Sequence, residues 1–76
     1  MTFDKTQTVE LMKEFLSSNE WQVLRDYLDT RWKGGLDALK TTTSMDVVFR
    51  LQAQIREDEY LLNLPKNIIK EVQNGS

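Results

Sequence analysis

The densest grouping of side chains able to do chemistry is the acidic triplet Glu57-Asp58-Glu59. Successive helical positions point about 100° apart, so three adjacent carboxylates cannot close on one metal ion as a set. The triplet is therefore expected to be a solvated acidic face, although Asp58 interrupts an apolar line running from Ile55 to Leu62. Asp26 and Asp29 have the spacing of an acid–base pair, but carboxylates three apart on a helix surface are ordinarily just hydrated. Trp21, Tyr27 and Trp32 are candidates for a stacking surface, with Arg25, Arg31 and Lys33 close enough in sequence to meet phosphates. On an apolar helical stripe, however, such aromatics are expected to be core or subunit interface. Arg50 and Arg56 flank the second long stripe, and in a ring of subunits Arg50 would face a shared anion pocket. Gly34-Gly35 lacks the strand and the Lys-Ser/Thr continuation of a phosphate-cradling loop.

What is missing narrows the chemistry further. The chain has no Cys and no His, which removes thiolate nucleophiles, disulfides and the commonest general base and metal ligand. No enzyme and no cofactor are expected. The net charge of -2 gives no electrostatic footprint for nucleic acid. No apolar run approaches the roughly 18 residues of a membrane span, and the N-terminus lacks a signal-peptide pattern. Cysteine-free usage fits a reducing compartment, so the expected location is the cytoplasm of the producing cell.

The elements that would position these residues are helices. The clearest runs from Ser44 to Pro65, where Val48, Leu51, Ile55 and Leu62 recur at steps of three, four and seven. Thr43 or Ser44 can cap it, and Asp46 meets the positive end of its dipole and can pair with Arg50. Pro65 disfavours helical geometry in Leu64, so the helix is expected to end near Asn63 and a new one to start at the proline. Upstream, Trp21, Leu24, Leu28, Trp32, Leu36 and Leu39 form a second stripe, supported by pairs of Arg25 with Asp29, Asp29 with Lys33 and Lys33 with Asp37. Because this stripe stays in phase, the helix is expected to continue through Gly34-Gly35. Ser17 and Glu20 match a capping box for its start, and Thr41-Thr42-Thr43 should end it. Val9, Met12 and Leu16 define a short first helix capped by Thr6 or Thr8, after a lead-in of Met1 to Thr6 with Phe3 as an anchor. Ile68, Ile69 and Val72 define a short last one, followed by a frayed Asn74-Gly75-Ser76 tail.

With these elements in place, the chain resembles a family of small helical proteins encoded by tailed bacteriophages. The resemblance rests on FLSSNEW at Phe15 to Trp21, RLQAQI at Arg50 to Ile55 and LLNLP at Leu61 to Pro65, and covers Phe15 to about Ile69. Ala53 stands where such proteins would be expected to carry Gly. The resemblance implies a phage origin and a role near head assembly, and carries over no functional residues.

The expected protein is all-α and a single domain, with helices over about 8–17, 18–40, 45–63 and 65–73. An antiparallel hairpin of the two long helices would carry short helices at each end. Trp21, Leu24, Leu28, Trp32, Val48, Leu51, Ile55 and Leu62 are its core or interface, and Arg25, Arg31, Lys33, Arg50 and Arg56 its candidate anion contacts. At 76 residues, burial barely offsets ordering entropy, so a homo-oligomeric bundle is expected. The expected activity is that of a protein-interaction module with a phage or host protein as partner, in the infected bacterial cytoplasm or the virion. The alternative is an anti-defence protein that binds a host protein or holds a signalling nucleotide between subunits.

Overall fold

The computed structural model describes residues Phe3 to Gly75, and these form three helices with no strand among them. Helix α1 spans Lys5–Leu16, α2 spans Asn19–Thr41 and α3 spans Met45–Asn74. The chain is all-α, as its periodicity predicts.

Each start has a chemical reason. Helix α1 begins three residues earlier than expected, because Asp4 rather than Thr6 or Thr8 caps it. The Asp4 carboxylate accepts from the Gln7 amide at 2.7 Å, and the Gln7 side chain accepts the Asp4 amide at 3.2 Å, a reciprocal capping box. Phe3 is exposed and anchors nothing; Met1 and Thr2 of the expected lead-in and Ser76 of the expected tail lie outside the described residues. The cap of α2 is Ser18 and not Ser17: its hydroxyl accepts from the Trp21 amide at 3.1 Å and donates to the Phe15 carbonyl at 2.6 Å. Ser17 closes α1 instead, so the expected Ser17–Glu20 box does not form.

The largest correction concerns Pro65. Helix α3 runs unbroken for 30 residues, through the proline expected to divide it. Pro65 leaves the Leu61 carbonyl without its helical amide, a cost of about 3 kcal/mol for an isolated helix. Packing on both sides offsets this. The ring is buried, and Ile68, Ile69 and Val72 beyond it are half-buried. They keep the phase of one stripe: Val48, Leu51, Ile55, Asp58, Leu62, Pro65, Ile69 and Val72 follow at alternating steps of three and four, and every one of them is buried or half-buried. Such a seven-residue repeat keeps one seam facing a partner helix along its whole length.

That partner is α1 and α2 laid end to end. Helix α2 advances as α3 recedes: Arg31 meets Asp58, Trp32 meets Glu59, and Gly35 meets Ile55. Helix α1 lies along the far end of α3, with Lys5, Val9 and Lys13 beside Val72 and Gln73. The Phe15 and Trp21 rings bridge the α1–α2 joint, 5.3 Å apart and tilted 45°. Gly34-Gly35 does not break α2, and Gly35 is buried under Ile55, so close that an added Cβ would sit 3.1 Å from it. The result is a flat body of 49 × 28 × 17 Å, a single layer two helices wide.

Candidate functional site

Two features of the seam stand apart: a buried carboxylate and an apolar groove beside it. The carboxylate corrects an expectation, because Asp58 is not part of a solvated face. It has no exposed surface, sits at an inward position of the α3 repeat, and is 3.4 Å from the Arg31 guanidinium. Neither of its oxygens accepts a hydrogen bond from the described residues. Its neighbour Glu59, one step around the helix, accepts the Trp32 indole N–H at 3.0 Å and stays exposed.

The expected core divides accordingly. Trp21, Leu28 and Ile55 are buried, whereas Trp32, Val48, Leu51 and Leu62 are half-buried. Leu24 departs from expectation most, with 45% of its surface open. It lines a groove of about 270 Å³ whose walls are Phe15, Trp21, Leu24, Leu28, Leu61, Leu64 and Pro65, all apolar. A groove of this lining takes another apolar surface or nothing. Val23 and Tyr27 extend the same arc of α2 outward, at 73% and 63% exposure.

The other flank of the seam is different in kind. One step around α2 from Leu24 and one around α3 from Leu61, a shallow cleft is lined by Arg25, Asp26, Asp29 and Leu62. A pair of adjacent helices thus has one greasy side and one charged side at the same height.

The candidate anion contacts do not assemble. Arg31 is engaged by Asp58, and Lys33 by Asp29 at 2.9 Å. That contact raises the Lys33 pKa, through the hydrogen bond and then the charge of Asp29. Arg25 opens onto the charged cleft without an ion pair to Asp29, while Lys33 makes none to Asp37, which lies near Lys40 instead. Arg50 and Arg56 are exposed on α3 and form no ion pair among the described residues, including the expected Arg50–Asp46 one. None of these five cations lines the aromatic-walled groove. Among the described residues, no helix is long and apolar enough to cross a membrane.

Of the seven groove residues, Trp21, Leu24 and Leu28 belong to the stripe expected on α2, whereas Pro65 was expected to break α3. The openness of Leu24 and Tyr27 is not recorded in the stripe, which marks an apolar face but not how much of it a partner helix covers. No protein-family model, curated protein or solved structure matches this chain.

Proposed function

We propose that the chain is a non-enzymatic protein-interaction module of a tailed bacteriophage, acting in or around assembly of the virion head. In this reading α2 and α3 work as an antiparallel hairpin that presents a helical surface to other proteins and to copies of itself. The observation that carries it is the apolar groove, left open beside a seam whose remaining charges are mostly hydrated or paired. The distribution of cations supports assembly over capture of a nucleotide, since Arg31 and Lys33 are matched to acids and no cation stands over the groove aromatics. The site of action is the cytoplasm of the infected bacterium, with incorporation into the particle as one route.

Quantitative mass spectrometry of purified virions and of head-assembly intermediates tests this. The expected result is the chain in one or both, at a fixed ratio to a head protein. Its absence from both, together with retention of a host protein on the purified chain, overturns the assembly role in favour of an anti-defence one.

A further inference from the structure

We propose that the groove is the seat of a second copy of this chain, stacked groove to groove in a closed dimer. Each copy contributes a two-helix layer, so the stack at this level is four helices. The proposal rests on the self-association in the function above and adds where the second copy sits and that the contact closes at two.

The first argument is area. A folded monomer of 8.9 kDa exposes roughly 4,800 Å². This chain exposes 5932 Å². The surplus of about 1,100 Å² exceeds the roughly 800 Å² that each partner of a standard stable interface buries. Its origin is the flat shape: a body 17 Å thick has no second layer, and among the described residues the buried apolar side chains are Trp21, Leu28, Ile55 and Pro65.

The second argument is where the apolar surface lies. At about 100° per residue, Val23, Tyr27, Leu24 and then the buried Trp21 and Leu28 form one continuous arc of α2. Across the seam, Leu64, Leu61 and Pro65 form the matching arc of α3. The opposite flank carries Arg25, Asp26 and Asp29 and offers no surface of this kind. Because the same groove is used on both copies, the contact is isologous and closes at two copies instead of growing into a filament.

The test is light scattering after size-exclusion chromatography of the full chain over a wide concentration range, with far-ultraviolet circular dichroism as the check on folding. The wild type is expected at twice 8.9 kDa. Leu24→Glu and Tyr27→Glu change residues already open to solvent, so helicity should persist while dimerisation weakens by about 30-fold or more. Arg25→Glu on the charged flank should leave the dimer intact. A wild-type monomer at all concentrations overturns the proposal, as does a dimer that survives both groove variants and yields to Arg25→Glu. The two readings fail separately. A monomer that binds a head protein through Leu24 sinks the dimer alone, whereas a dimer that engages no head protein sinks the assembly role alone.

Discussion

Asp58 faces Arg31 across the α2–α3 seam at 3.4 Å, with the carboxylate wholly buried and the guanidinium side chain 38% exposed. Along the stripes the neighbours of the pair are apolar, Leu28 on α2 and Ile55 and Leu62 on α3, with Gly35 packed against Ile55. Burying a carboxylate is costly unless a charge and hydrogen bonds compensate, and here one guanidinium is the compensation.

Breaking this pair should therefore cost more than deleting it. Arg31→Ala is expected to lower stability by about 3 kcal/mol, because it leaves Asp58 buried and unmatched. The double variant Arg31→Met/Asp58→Leu should equal or exceed the wild type. Urea denaturation followed by circular dichroism compares the two; a double variant as unstable as Arg31→Ala would refute the argument.

The adjacent glycines should respond in opposite directions. An added Cβ at Gly34 meets nothing within 4 Å, so Gly34→Ala should stabilise α2 by about 0.5–1 kcal/mol through helix propensity. At Gly35 the same atom would sit 3.1 Å from Ile55 Cγ1, and a larger side chain must displace α3. Gly35→Leu should destabilise by about 1–3 kcal/mol. Thermal melts of both variants decide the matter, and equal shifts would mean that the helices do not cross closely there.

Pro65 offers a test of the unbroken α3. Replacing it with Ala restores an amide for the Leu61 carbonyl, a gain of about 3 kcal/mol in helix terms. It also removes two buried ring methylenes, at about 0.8 kcal/mol each. Net stabilisation of about 1 kcal/mol is expected for Pro65→Ala, with helix content unchanged. A rise in helix content would point to a break that the proline had imposed.

The contact of Lys33 with Asp29 has a pH signature. Because the folded-state pKa of Lys33 is raised above 10.5, its contribution is present at all pH values below 10.5 and fades as pH climbs through the raised value. The difference in stability between the wild type and Lys33→Met should be flat from pH 7 to 10 and shrink only above 10.5. A difference that vanished between pH 7 and 9 would contradict this assignment.

Much of this architecture was legible in the residues. The step of three and four through Trp21 and Leu28, and through Val48, Leu51 and Ile55, places one apolar face on each long helix, and a helix is the only element in which those positions coincide. The phase continuity across Gly34-Gly35 argued against a break, and α2 is continuous. Local signals misled where two candidates were adjacent or where a local preference met strong packing. Ser17 and Ser18 both carry the cap chemistry, and the geometry of the α1–α2 joint selects Ser18. Pro65 disfavours a helix by a few kcal/mol, which the packing of its own ring and of Ile68, Ile69 and Val72 overcomes.

Composition and spacing by themselves determined that this chain is helical, that its helices are amphipathic, and that thiol, imidazole and disulfide chemistry are outside its reach. These are properties of residue type and local periodicity, which need no knowledge of distant neighbours. Tertiary structure alone decided that Asp58 is buried against Arg31 rather than hydrated, and that Leu24 is open while Leu28 is closed. It also decided that the cations lie apart from the aromatic groove. Each of those depends on which side chain another helix brings to the same place, and a stripe records only that a partner exists, not where its charges and gaps will fall.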